Sequence, residues 1–296
     1  MKLFVLSFFL IFLFNSVEVR AKDWWENFQK VINQRDEKAF MSYLHSLTKN
    51  QLLLLGEKYC KEYIKSEEDL EATFLVSPIL SQYVTACKGK PDPDIFYNII
   101  VNSENNPFWR LSIIRWLGEK YPNSEVLNFF QILDIKQQSR FISVFLSLLS
   151  KKTENELLQL QIMDTVKKIL NSSSSKHNYA PSINQQFLKE ETEKYIEILK
   201  SFLETGTVKE RILKKSAGQL GRFARSNPAL EKFLFDVFKN RKKYPKKVQY
   251  TIAYHLVKMK EVAIMPELED MLEEETEKSY KKQIQRFIKE LKNIKK

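Results

Sequence analysis

The chain has 296 residues, with 48 Lys and Arg against 37 Asp and Glu, 43% apolar content, and only 6 Gly and 9 Pro. This composition supplies ample material for a core, argues against a glycine-punctuated sheet protein, and points to a helix-rich fold of one large domain or two. Its charge is segregated: residues 205–260 hold fifteen Lys or Arg and three acids (Glu210, Glu231, Asp236), a net +12, whereas 22–204 (23 basic, 24 acidic) and 261–296 (8 basic, 9 acidic) are close to neutral. Charge gathered in one segment implies a located surface that meets something anionic.

Taken from the start of the chain, Lys2, the apolar run Leu3 to Phe14, a polar break and Val19-Arg20-Ala21 read as an export signal. The run stops at Asn15, short of the ~20 apolar residues a membrane span needs. The expectation is a periplasmic or secreted protein that begins at Lys22. Amphipathic periods separated by Asp, Asn, Pro or Ser then predict helices over 23–33, 36–47, 49–65, 68–87 (broken near Pro78), 94–103, 107–120, 124–133, 136–150, 154–170, 183–204, 207–225, 228–239, 245–258, 261–273 and 276–293. The one loop-like stretch is 171–182, with four consecutive serines, and Asn171 there is a glycosylation acceptor only in a eukaryotic host.

Internal repetition organises these helices. Leu55-Gly56-Glu57-Lys58-Tyr59 recurs as Leu117-Gly118-Glu119-Lys120-Tyr121, 62 residues on, and Leu220-Gly221-Arg222-Phe223 is a looser copy. That spacing suits two-helix units of 30 to 40 residues, each too small to bury its own apolar faces and so covered by its neighbours. Glycine at these places permits either close helix packing or a left-handed cap.

On these residues the chain resembles the HEAT-repeat family and its armadillo-like relatives. The best-matching unit is Asn106-Pro107-Phe108-Trp109-Arg110-Leu111-Ser112-Ile113-Ile114-Arg115-Trp116-Leu117-Gly118, where Asn106 replaces the family's Asp. Weaker copies run from Ile212 to Gly221 and from Val248 to Leu256, with Leu213 and Gln249 in the place of Arg. Tetratricopeptide repeats share Leu-Gly-x-x-Tyr but need small residues where Phe130, Gln137, Glu68 and Leu75 stand. The resemblance implies an all-α, right-handed α-solenoid of about seven antiparallel hairpins over residues 22–296.

No catalytic, metal or nucleotide signature stands out. His45 and His177 lack the spacing of paired metal ligands, no serine sits in a glycine turn, and the acid runs read as solvated helix faces. Trp109 and Trp116, seven apart, share a core face with Ile113, and Trp24-Trp25 reads as a shield over the open end of the first hairpin. Cys60 and Cys87 make an even pair in an exported chain. One straight helix over 68–87 would leave them ~20 Å apart along the axis; a reversal at Ser77-Pro78 would bring them within bonding reach. The sequence leaves the disulfide open.

The strongest constellation lies on the helix from Thr207 to Arg225. Arg211, Lys214, Lys215, Arg222 and Arg225 fall within a stripe about 100° wide, opposite Ile212, Leu213, Ala217, Leu220, Phe223 and Ala224. The helix over 245–258 is expected to bury Val248, Ile252, Ala253 and Leu256 and to present Lys247, Tyr250, Tyr254 and Lys258 outward. Lys239, Arg241, Lys242, Lys243 and Lys246 sit between the two helices. The resemblance implies that both polar faces line one concave groove. The expectation is a binding or scaffold protein without catalysis, cofactor or small-molecule substrate, engaging an acidic protein, an anionic polysaccharide or membrane headgroups. Nucleic acid is a poor match for an exported chain. An envelope component without a specific ligand, and an enzyme with dispersed residues, are the alternatives.

Overall fold

The computed structural model describes residues 24–66, 69, 75–118, 133–151, 155–172 and 185–294. The expected signal segment 1–21, nearly all of the expected helix 124–133 and residues 173–182 of the serine-rich stretch lie outside them. Among the described residues every regular element is helical and there is no strand. The chain divides into two compact units, Met1–Leu117 and Gly118–Lys296.

The first unit holds α1 (24–34), α2 (Glu37–Ser46), α3 (Lys49–Tyr63), α4 (Val76–Ala86), α5 (Pro93–Val101) and α6 (Pro107–Leu117). Local chemistry sets the starts. The Asp36 carboxylate accepts the backbone N–H groups of Lys38 and Ala39; Thr48 and Gln51 form a reciprocal capping box; Asp92 caps ahead of Pro93. Asn106 caps α6, its side chain accepting from Phe108 and Trp109 N–H. Arg110 is buried, and its Nε donates to the Ile100 carbonyl at 2.8 Å, tying α6 to the end of α5.

Trp109 and Trp116 are both core, as their spacing predicts. Trp24 and Trp25 are buried too; Trp25 stacks on Phe28, and Lys58 Nζ lies 4.5 Å over its ring. Both cysteines are free thiols. α4 starts at Val76, so Ser77 lies inside it and is not its cap. Cys60 is fully buried with Sγ 3.7 Å from the Ser112 hydroxyl, and burial, reinforced by Glu57 against the Ser112 contact, pushes its thiol up to about 12. The bond the sequence permits is therefore not formed: Cys60 faces α6, and Cys87 caps the end of α4 beside Tyr83.

The second unit holds α7 (Ile135–Ser150), α8 (Glu156–Ser172), α9 (Gln185–Thr205), α10 (Glu210–Phe223), α11 (Pro228–Lys239), α12 (Lys246–Lys258), α13 (Met265–Glu274) and α14 (Lys278–Lys292). α7 packs on α8 and α9, α9 on α10, α11 on α10 and α12, and α13 on α14, while α8, α10, α12 and α14 follow side by side, α10 on α8 and α12, and α12 on α14. A buried polar knot joins three of them: the Tyr195 hydroxyl on α9 meets the Met163 carbonyl of α8 at 3.0 Å and Gln219 Oε1 of α10.

The repeated glycines serve packing, since positive φ among glycines is confined to Gly89 and Gly206. A Cβ on Gly56 would lie 2.6 Å from the Trp109 ring, and one on Gly221 would lie 2.2 Å from His255 Cγ. In each case the missing side chain lets the next helix of the layer, α6 or α12, press against the backbone.

Candidate anion-binding face of the second unit

Four members of the expected stripe lie on α10, while Arg225 falls in the 3-10 turn Ala224–Ser226 that follows it, and they meet different neighbours. Lys215 is only 25% exposed and pairs with Asp164 of α8 at 2.5 Å. Arg211 Nε lies 3.9 Å from Glu156, which Lys209 approaches at 3.1 Å. On α12, Lys258 pairs with Glu290 of α14 at 2.7 Å, and Lys247 reaches Glu210 at 4.0 Å. Three of the five cations between the helices are also paired: Arg241 is buried 3.5 Å from Glu274, Lys242 binds the same carboxylate at 2.6 Å, and Lys246 binds Glu275 at 3.0 Å. The acids missing from 205–260 are thus supplied by α8, α14 and the end of α13.

Tyr250 departs from expectation. It is buried rather than outward: α14 brings Tyr280 over it, the rings stacked at 4.2 Å, and its hydroxyl donates to Glu275 Oε2 at 2.8 Å. Burial and the Glu275 carboxylate both hold its phenol far above the usual tyrosine range.

Lys214, Arg222 and Arg225 remain. All three are exposed, and among the described residues none has an acidic group within ion-pair distance. Arg222 and Arg225 flank His255, whose imidazole is pressed between Gly221 and Tyr254. Burial chiefly, then Arg225 and Arg222, hold His255 down at about 4, so it is neutral, and its Nδ1 makes no hydrogen bond among the described residues. Lys167 of α8 joins the same neighbourhood, its ammonium destabilised by burial and then by Arg222. Lys167 and Lys168 of α8 and Lys215 and Arg222 of α10 therefore share one region, relieved locally by Asp164, which is already engaged by Lys215.

Beside Lys214 the surface opens into a cleft of about 330 Å³ between α10, α12 and α14, lined by Lys214, Lys247, Tyr250, Thr251, Tyr254, Tyr280 and Gln283. Tyr254 is 37% exposed there. Four of the residues chosen from sequence thus come together, while Arg222 lies further along α10 and Arg225 in the 3-10 turn that follows it. Sequence reasoning missed Thr251, Tyr280, Gln283, Lys167 and His255. Tyr280 stands 30 positions after Tyr250, about one repeat, and that register was the one available signal. A larger cleft of about 690 Å³ lies between α7 and α9, but Glu190, Glu191, Glu193 and Glu197 border it and would repel an anion. Among the described residues no group of three His, Cys, Asp or Glu is placed to hold a metal ion, and no helix is long and apolar enough to cross a membrane. No family model, curated protein or solved structure matches the chain.

Proposed function

We propose that this is an exported, non-catalytic binding protein, a right-handed HEAT-like α-solenoid that engages an anionic macromolecule through the face of α8, α10 and α12. One observation carries this reading: Lys214, Arg222 and Arg225 are exposed along α10 and the turn that follows it with no acidic group within ion-pair distance among the described residues, while Lys209, Lys215 and Lys258 are paired. Like charges along one helix face repel by tenths of a kcal/mol per close pair. The unliganded fold gains nothing from them, and an anion would. The side-by-side order of α8, α10, α12 and α14 and the shared role of Gly56 and Gly221 support the repeat architecture. Export rests on the sequence pattern of residues 1–21; native protein is expected to begin at Lys22, and a retained Met1 in a membrane fraction would overturn that part.

The test of function is capture of partners by the protein starting at Lys22, at low and high salt. Binding should weaken steeply as screening shortens to about 8 Å at physiological ionic strength. Combined Lys214→Glu, Arg222→Glu and Arg225→Glu replacement should abolish it with the melting midpoint unchanged or slightly raised. Normal binding by that variant removes the face as the site, and unfolding of it makes these residues structural.

A further inference from the structure

We propose that the anionic partner is an acidic polysaccharide, with one sugar ring seated against Tyr254 in the cleft between α10, α12 and α14; this rests on the reading of the face as an anion-binding surface. The walls of the cleft favour this chemistry over a peptide. They are made by Lys214, Lys247, Thr251, Tyr254, Tyr280 and Gln283, over the buried ring of Tyr250, with no aliphatic side chain among them. An apolar peptide side chain has nothing there to fill, whereas small-molecule and peptide pockets are usually mostly hydrophobic.

A sugar ring matches what is present. Its C–H face is slightly positive and is drawn to the negative face of an aromatic ring, as cations are. Tyr254 offers such a ring, held from behind by an edge contact with His255 at 5.2 Å and by Phe287 at 6.4 Å. Tyr280 is fixed beside it by stacking on Tyr250, which is itself anchored to Glu275. The Gln283 amide both donates and accepts, as hydroxyl groups around a sugar rim require. Among the described residues Lys214 has no ion pair, and Lys247 meets Glu210 only at 4.0 Å, so both ammonium groups face the cleft for a carboxylate or sulfate on the sugar.

A chain fits better than a single charged sugar. Along α10, Arg222 lies ~12 Å beyond Lys214 at 1.5 Å per residue, and Arg225 follows in the 3-10 turn Ala224–Ser226. Gly218 stands between Lys214 and Arg222 without a side chain, its nearest neighbour being Thr251. Cations thus recur from the cleft along this face at intervals that suit a polymer with repeated charges.

The experiment is calorimetric titration of the protein starting at Lys22 with oligogalacturonate, a heparin oligosaccharide, a neutral maltooligosaccharide, polyglutamate and phosphatidylglycerol vesicles. One of the two acidic sugars should bind and the neutral one should not. Tyr254→Ala and Gln283→Ala should each weaken that binding about tenfold, and Tyr254→Phe, which keeps the ring, should retain it. Unchanged affinity in Tyr254→Ala and Gln283→Ala overturns the seat in the cleft. Binding of polyglutamate or vesicles but neither acidic sugar overturns the polysaccharide while leaving the anion-binding face standing. If no anion binds, the proposed function falls with it.

Discussion

Gly221→Ala is expected to destabilise the second unit by about 2 kcal/mol, within the range for overpacked cores, and to lower its melting midpoint by several degrees. Gly218→Ala, three residues earlier on the same helix, is expected to be neutral or to stabilise by up to ~1 kcal/mol. Helix propensity favours Ala over Gly equally at both places, so the contrast isolates packing. At Gly218 the new methyl would meet Thr251 Cγ2 at 3.6 Å, an ordinary contact. At Gly221 it would lie 2.2 Å from His255 Cγ and 2.6 Å from His255 Cβ. Cβ is fixed to the backbone of α12, so no rotamer change removes the clash and the two helices must separate. Urea or thermal unfolding of the two variants measures the difference. Equal stability would mean that α10 and α12 do not approach this closely.

The helices were legible in the sequence because what starts them is local. Thr48 with Gln51, Asp134 with Gln137, and Asn227 ahead of Pro228 each place a capping side chain within three residues of the N–H it satisfies. The element that changed most, α4, begins at Val76 because Leu75 precedes it without a side-chain cap and Pro78 falls within its first turn, so local capping chemistry did not mark its start. The charged face was legible only as a face. Helical spacing placed five cations on one side of α10 and its continuation, and Lys258 on the polar side of α12, but the acids they meet are long-range: Asp164 stands 51 residues before Lys215, and Glu290 stands 32 residues after Lys258. Segregation along the chain did not become segregation in space, because each helix borrows acids from the neighbours packed beside it. Tyr250 was misplaced for a similar reason. Its angular position on α12 is polar, yet α14 lies across it, and only that later helix supplies Tyr280 and the adjoining Glu275.

Glu275→Gln is expected to cost on the order of 2–3 kcal/mol at neutral pH, the range for buried hydrogen bonds to a charged group, with a dependence on pH that identifies the charge as the cause. Glu275 is buried at the turn between α13 and α14. Its carboxylate accepts from the backbone N–H groups of Thr276 and Glu277 at 2.9 Å each, from Lys246 Nζ at 3.0 Å, and from the Tyr250 hydroxyl. Desolvation alone would raise its pKa; the Glu277 N–H, the Tyr250 hydroxyl and the Lys246 ammonium outweigh it and hold the carboxyl down at about 2 against an ordinary value of 4.5. Because the folded pKa is the lower one, the unfolded chain binds the proton more readily between these values. The contribution is therefore complete above pH 4.5 and is lost as the pH falls from 4.5 toward 2. Gln cannot titrate, so the stability gap between the two proteins should be widest above pH 4.5 and should shrink as acid is added. His255 acts over a different window, its folded value of about 4 lying below the usual 6.5, so its contribution fades as the pH falls from 6.5 through 4. Both proteins retain His255, and its effect cancels in the difference. Urea unfolding at pH 7, 4.5 and 3 resolves the case. A gap that stays constant across that range would mean that Glu275 supports the turn by shape and hydrogen bonding, without a contribution from its charge.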